Sequence, residues 1–132
     1  MWWWGGVFRK GMLVGGVPVS GRDARWLTEA LFLAGRSRGR FRHGCVVVVG
    51  NRVVGRGWNR VRPPVAVSGP VPWHIKWRHA EEAAILDAGG AVVGAVLYVA
   101  RVSAAGAPVL SEPCPSCWKL IRRFGVRRAV WT

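Results

Sequence analysis

The amino-acid sequence predicts an α/β domain of three layers, in which about three helices cover the two faces of a mixed sheet of about four strands. Segments with helical spacing alternate with short apolar runs rich in valine, in the order α-β-β-α-β-α-β. The length of 132 residues is enough for one core and too short for two. Two connections run from a strand through a helix to another strand, which places the helices against the sheet.

The N-terminal residues 1–20 are predicted to be a poorly ordered tail, and residues 21–132 the folded domain. The tail is apolar and rich in tryptophan, but its first charges, Arg9 and Lys10, follow the apolar stretch. A signal peptide has the opposite order, and a membrane helix needs about 20 apolar residues. We therefore expect no membrane association and a cytoplasmic protein, with Met12 as an alternative start.

The first helix is predicted over residues 22–34, with Ser20 as its cap and Asp23 in the place of a capping-box acid. A basic loop follows at residues 36–42. The apolar run 45–49 is followed by the turn signal Gly50-Asn51 and by a second predicted strand at residues 52–57, which together predict a β-hairpin.

A long loop over the functional site is predicted for residues 59–78, which contain four prolines. Helical spacing at residues 80–88 predicts the second helix, and residues 95–102 form an apolar run of the kind buried on both faces of a sheet. A second loop is predicted at residues 103–111. Pro115 suits the first turn of a third helix that ends before Gly125, and residues 127–132 are predicted to form the last strand.

Two short motifs place metal-binding groups at the starts of the second and third helices. They are His79-Ala80-Glu81 and Pro113-Cys114-Pro115-Ser116-Cys117. Zinc prefers nitrogen and sulfur ligands, and a catalytic site uses three protein ligands and leaves the fourth position to water. His79, Cys114 and Cys117 supply three ligands, and Glu81 remains as a proton carrier. A C-x-x-C pair alone would be ambiguous between a redox dithiol and half of a structural zinc site.

The remaining cysteine, Cys45, lies in an apolar run and is predicted to be a buried core thiol. No cysteine pair is then left for a disulfide, which is typical of a reducing compartment. The net charge of +14 predicts attraction to phosphate, either of a nucleotide or of a nucleic acid. The alternative is a compositional bias with solvated arginines. The basic loops at residues 36–42 and 60–62 are candidates to hold a phosphate.

Residues 43–132 resemble the cytidine deaminase superfamily, in particular its deoxycytidylate deaminase-like branch. The two motifs match H-x-E followed by P-C-x-x-C, the signature of zinc nucleobase deaminases. Gly57-Trp58-Asn59, residues 97–100 and residues 125–128 support the resemblance. It implies a cytidine deaminase-like fold from which the usual C-terminal fifth strand and helix are missing. Their absence exposes a sheet edge, which is either covered by another subunit, as expected for a homo-oligomer, or left as a short basic edge.

The resemblance also implies that His79, Cys114 and Cys117 hold zinc, and that Glu81 shuttles protons. It places Asn59 on the sugar of the substrate. His43 is a further candidate to bind phosphate or to pack against the base, and Trp77 is a candidate to stack on the base.

These features predict a zinc-dependent hydrolase that converts a cytosine nucleotide to the uracil nucleotide with release of ammonia. The first candidate for the substrate is dCMP. One alternative is a deaminase of cytosine or adenine in single-stranded nucleic acid or tRNA, which the charge and the tryptophans favour and the short chain does not. A non-enzymatic alternative is a nucleic-acid-binding module with a structural zinc, in which Glu81 would have no use.

Overall fold

The computed structural model describes residues 13–14, 17–61 and 77–132. Its elements are β1 (Leu13–Val14), β2 (Val17–Pro18), α1 (Gly21–Ala34), β3 (Arg42–Val49), β4 (Arg52–Trp58), β5 (Arg60–Val61), β6 (Trp77–Arg78), α2 (Ala80–Ala88), β7 (Val96–Val102), β8 (Pro108–Val109), α3 (Pro115–Arg123) and β9 (Arg128–Trp131). Within the described ranges, no helix has both the length and the apolar character needed to span a membrane.

The central sheet is mixed, as predicted. β4, β3 and β7 lie side by side and antiparallel, and β7 pairs on its other side with β8 in antiparallel and with β9 in parallel orientation. The fifth strand, β8, falls in residues 103–111, so the prediction of a loop was wrong for this short strand. Gly106 has a φ of +82°, a conformation that glycine adopts without strain, and the segment turns back onto the end of β7.

The helices cover both faces of the sheet and make the predicted three layers. On one face Leu27 of α1 packs in a core with Val46 and Tyr98. On the other face Ala84 of α2 packs in a second core with Val47, and α3 belongs to this second core as well. Successive residues of β3 therefore enter different cores, as the pleat of a strand requires.

The start of α1 is fixed by a cap and by a long-range contact. The hydroxyl of Ser20 accepts a hydrogen bond of 3.0 Å from the backbone N–H of Asp23, as predicted. The carboxylate of Asp23 also accepts hydrogen bonds from the hydroxyl of Tyr98, at 2.7 Å, and from the guanidinium of Arg128, at 3.0 and 3.2 Å. These contacts tie α1 to β7 and β9.

Helix α2 lies directly against β4 because two residues of this strand, Gly55 and Gly57, have no side chain. A Cβ atom on Gly57 would lie 2.4 Å from the backbone nitrogen of Ala84 and 2.6 Å from the carbonyl oxygen of Ala80. Such distances are shorter than real Cβ contacts, so the helix would have to move. This close approach sets the position of the first turn of α2, where the His-Ala-Glu motif lies.

The predicted tail and the predicted loop at residues 59–78 lie partly outside the described residues, which leave out 1–12, 15–16 and 62–76. β1 pairs with β2 near the end of the tail. At the two ends of the loop β5 pairs with β6, with Arg60 opposite Arg78. The division into tail and domain stays a prediction.

Candidate active site

The three predicted zinc ligands come together, although they belong to two segments of the chain. The candidate ligand atoms of His79, Cys114 and Cys117 all lie within 4.8 Å of one another. Nδ1 of His79 is 3.2 Å from Sγ of Cys117 and 3.6 Å from Sγ of Cys114. A tetrahedral zinc with bonds of about 2.0–2.3 Å separates such donor atoms by about 3.5–3.8 Å. The three side chains therefore fit a zinc ion, with Nδ1 as the nitrogen donor.

The positions of the ligands follow from two helix starts. His79 is the N-cap residue of α2 and Cys114 the N-cap residue of α3, and neither side chain makes a capping hydrogen bond. Pro115 occupies the first turn of α3, as predicted, and Cys117 lies one position beyond Ser116 in the same turn. Both side chains therefore lie at helix N-termini, where the positive ends of two helix dipoles favour thiolate ligands and a bound anion.

Glu81 lies beside the three ligands in the first turn of α2. Its side chain lines a cavity, although the residue is only 5% exposed. Burial raises the pKa of Glu81 above its ordinary value, while a hydrogen bond with Cys117 acts in the opposite direction. Burial and the charge of Glu81 also raise the pKa of the Cys117 thiol. A carboxyl group in such surroundings takes up a proton more readily than one in water.

The cavity has a volume of about 410 Å³. That size lies in the range of about 300–1,000 Å³ that is typical of small-molecule sites. Two of the predicted ligands, His79 and Cys114, line it together with Glu81, and so do two of the predicted substrate contacts, His43 and Asn59.

Asn59 lines the cavity, but its amide also holds the start of β3. Its Oδ1 accepts a hydrogen bond of 2.8 Å from the backbone N–H of His43, and its Nδ2 donates to the carbonyl oxygen of Phe41. An amide has two N–H donors and two lone pairs on oxygen, so half of its capacity remains. The predicted contact with a sugar stays a prediction.

His43 lines the cavity and is neutral at neutral pH. Burial lowers its pKa to about 4, and the charges of Arg101 and His79 act in the same direction. Trp77, the third predicted substrate contact, pairs through its backbone with Val61, and its side chain lies outside what the structure describes. The substrate roles of His43 and Trp77 stay predictions.

Arg101 is a cavity residue that the sequence reasoning missed. It lies in β7 opposite His43 of β3, and both residues line the cavity. The apolar pattern of residues 95–102 indicates only a buried strand. A single arginine in that apolar run, on the strand before the cysteine motif, was the available signal. Arg40, also in the lining, belongs to the predicted basic loop.

This arrangement is that of a zinc-binding deaminase, a class in which a histidine and two cysteines ligate the metal and a glutamate outside the coordination sphere carries protons. Comparison with protein families gives the same result. The model described as the cytidine and deoxycytidylate deaminase zinc-binding region matches residues 20–132, and the chain therefore belongs to this family of hydrolytic deaminases. The predictions of family and of zinc as the cofactor are confirmed.

Solved structures with a similar fold include the dCMP deaminase from the cyanophage S-TIM5. Its apo form is 21% identical, with 83% of this chain and 80% of that chain covered and a TM-score of 0.62. The same enzyme in complex with dCMP and dUMP is 21% identical, with 81% and 77% covered and a TM-score of 0.61. These likenesses confirm the predicted fold class.

A third similar structure is RibD from Acinetobacter baumannii, in form 1, which is 26% identical with a TM-score of 0.58. The similarity covers 84% of this chain and 28% of the RibD chain, so this chain corresponds to only part of RibD. A search of curated protein sequences found no significant match.

Proposed function

We propose that the protein deaminates a free cytosine nucleotide to the corresponding uracil nucleotide with release of ammonia, and that dCMP is its preferred substrate. The observation that carries the proposal is the position of Glu81, which is buried, faces the cavity and lies beside the ligand group without belonging to it. A purely structural zinc site has no need of such a carboxyl group. The S-TIM5 enzyme of similar fold binds dCMP and dUMP, which supports the choice of nucleotide.

The reaction needs an attacking water and a group that moves protons. His79, Cys114 and Cys117 would hold zinc, which when bound lowers the pKa of a water molecule from 15.7 toward about 7. Glu81 accepts a proton from the attacking water and delivers it to N3 of cytosine as the bond between C4 and oxygen forms. Glu81 then moves the hydroxyl proton to the amino group, the C4–N bond breaks with its electron pair on nitrogen, and ammonia and uracil are the products.

The test is an ammonia-release assay on zinc-loaded protein with a panel of dCMP, dCTP, deoxycytidine, guanine, and single-stranded oligonucleotides that contain cytosine or adenine. We expect turnover of dCMP above all other compounds. Absence of turnover with every compound, in protein with one zinc per chain, would contradict the proposal and favour a structural zinc.

A second candidate is deamination of cytosine or adenine within single-stranded nucleic acid. The observation in its favour is a pair of arginines beside Trp58. The guanidinium carbon of Arg36 lies 5.3 Å from the centre of the Trp58 ring, and that of Arg60 lies 5.1 Å from it. Stacking rings combined with cations are typical of sites for single strands. The same assay separates the candidates, because turnover of the oligonucleotides without turnover of dCMP supports the second.

A further inference from the structure

We propose that Arg101, assisted by Arg40, binds the phosphate of the substrate and makes this active site select a nucleotide over the corresponding nucleoside. The inference rests on the proposed function, which it deepens by naming the residues that recognise the phosphate. Its structural basis is a pair of arginines of the cavity lining that contact the same aromatic ring.

Arg101 enters the active-site cavity from the sheet. It lies opposite His43 in the ladder between β3 and β7, and both residues line the cavity that also contains Glu81. The five residues of β7 before Arg101 are all buried, and Val102 after it is buried as well. An unpaired guanidinium in such a strand lowers the stability of the fold, because charged groups are rarely placed among buried residues unless they have a partner.

Among the residues that the structure describes, Arg101 has no such partner. Its Nε atom is buried and makes no hydrogen bond, and among the described residues neither Arg101 nor Arg40 forms an ion pair. Glu112 lines the same cavity, yet it is exposed and pairs with neither arginine. A guanidinium presents a planar fork of donors that matches phosphate oxygens, so an incoming phosphate would supply the missing acceptors.

Phe41 holds the two guanidinium groups in the lining of the cavity. The guanidinium carbon of Arg101 lies 5.0 Å from the centre of the ring and that of Arg40 lies 5.7 Å from it. The ring is 50% exposed and itself lines the cavity. Contacts between cations and an aromatic ring fix the positions of the cations but leave their charges uncompensated. A phosphate that reaches the cavity would therefore meet two oriented positive groups.

The cavity contains acidic and basic side chains, and their positions would orient the bound substrate. Glu81 and the ligand group lie where the base must react, whereas Arg40 and Arg101 are the two arginines among the described residues of the lining. A phosphate group attached to the sugar satisfies these charges, and a nucleoside leaves them without a counterion. Loss of a hydrogen bond to a charged group corresponds to a factor of about 10 to 100 in affinity.

The test compares Arg101→Gln with the unchanged protein by two measurements. The first is kcat/KM for dCMP and for deoxycytidine in the ammonia assay. The second is the affinity for dUMP, deoxyuridine and inorganic phosphate by calorimetry, which does not depend on turnover. Arg56→Gln is the control, because Arg56 is an exposed arginine of β4 outside the cavity lining.

We expect Arg101→Gln to weaken dUMP binding and to lower kcat/KM for dCMP by about 10- to 100-fold, with deoxycytidine changed by less than about threefold. Arg40→Gln should have a smaller effect in the same direction, and Arg56→Gln none. Equal losses for nucleotide and nucleoside, or unchanged dUMP affinity, would overturn the inference.

The stability of each variant is measured first, because Arg101 packs against Phe41. If Arg101→Gln does not fold, Arg101→Lys and Arg40→Gln carry the same comparison, since lysine keeps the charge and loses the forked geometry. If the unchanged protein deaminates neither dCMP nor deoxycytidine, it is the proposed function that fails. If it deaminates dCMP and the arginine variants keep the preference for the nucleotide, only the role of the arginines fails.

Discussion

Nδ1 of His79 lies 3.2 Å from Sγ of Cys117, and this contact joins the N-terminal end of α2 to the first turn of α3. His79 is the N-cap residue of α2, and Glu81 lies in the first turn of the same helix. The proposed proton carrier and the ligand group are therefore positioned by the same two helix starts.

The first prediction concerns the proton carrier. Glu81→Gln keeps the size of the side chain and removes the group that exchanges protons, so we expect one zinc per chain and a rate of dCMP deamination lower by at least about 10²–10⁴-fold. Zinc content by mass spectrometry and initial rates of ammonia release are the measurements. Glu82→Gln is the control, because Glu82 is next in the helix and lies 3.9 Å from Arg78 in an ion pair outside the cavity lining. Near-normal turnover by Glu81→Gln would contradict the assigned role.

The second prediction separates the three cysteines. Cys114→Ala and Cys117→Ala each remove a member of the ligand group, so we expect zinc content well below one per chain and a lower Tm that added zinc no longer raises. Cys45→Ala is the matched control, because Cys45 is fully buried in the core and is not a member of the group. We expect it to keep one zinc per chain while losing some stability. Loss of zinc from Cys45→Ala alone would show that the ligand set is wrong.

The helices could be predicted from the sequence because their signals are local. The second helix has the predicted bounds, and the start of the third is marked by Pro115. The pairing of His79 with the two cysteines was also accessible, because the two motifs match the H-x-E and P-C-x-x-C signature of zinc nucleobase deaminases.

The contacts that depend on register could not be predicted. Arg101 enters the cavity because β7 pairs with β3 so that Arg101 lies opposite His43, and no local signal in the sequence fixes that pairing. The same is true of the contact between Asp23 and Arg128, which are 105 positions apart. Short strands such as β8 form only where a neighbouring strand provides partners, so the sequence of residues 103–111 suggests a loop.

The third prediction tests the close contact between β4 and α2. A methyl group at Gly57 would overlap the backbone of α2 at Ala80 and Ala84, so Gly57→Ala should lower the free energy of unfolding by about 1–3 kcal/mol. A shift of α2 also displaces Glu81, and a misplacement of about 1 Å can lower activity by about 10²-fold. Chemical denaturation and the ammonia assay measure the two effects.

The control for this substitution is Gly90→Ala. A Cβ atom at Gly90 meets no atom within 4 Å, and this glycine is not among those with a positive φ. We expect a change in unfolding free energy below about 0.5 kcal/mol and normal activity. Equal behaviour of the two variants would show that the contact at Gly57 does not position the helix.

The fourth prediction concerns stability in acid. Burial by itself would raise the pKa of Asp23, but the hydrogen bonds from Arg128 and Tyr98 and the charge of Arg128 outweigh it and hold the pKa below the ordinary value of 3.8. A carboxyl group whose pKa is lower in the folded protein than in the unfolded chain stabilises the fold above the unfolded pKa. That contribution is lost as the pH falls below about 4 toward the folded pKa.

We therefore expect Asp23→Asn to lower the free energy of unfolding at neutral pH by about 1 kcal/mol, because Arg128 is partly exposed and water screens the pair. The difference between the variant and the unchanged protein should be constant above about pH 5 and should shrink below about pH 4, where Asp23 becomes protonated in the unchanged protein. Urea denaturation at a series of pH values measures it. Glu29→Gln, which changes an exposed carboxyl group on the same helix, is the control and should change the free energy of unfolding at neutral pH by less than about 0.5 kcal/mol. A difference that stays the same down to pH values well below about 3 would mean that the contact of Asp23 with Arg128 and Tyr98 stabilises the fold by its shape and not by its charge.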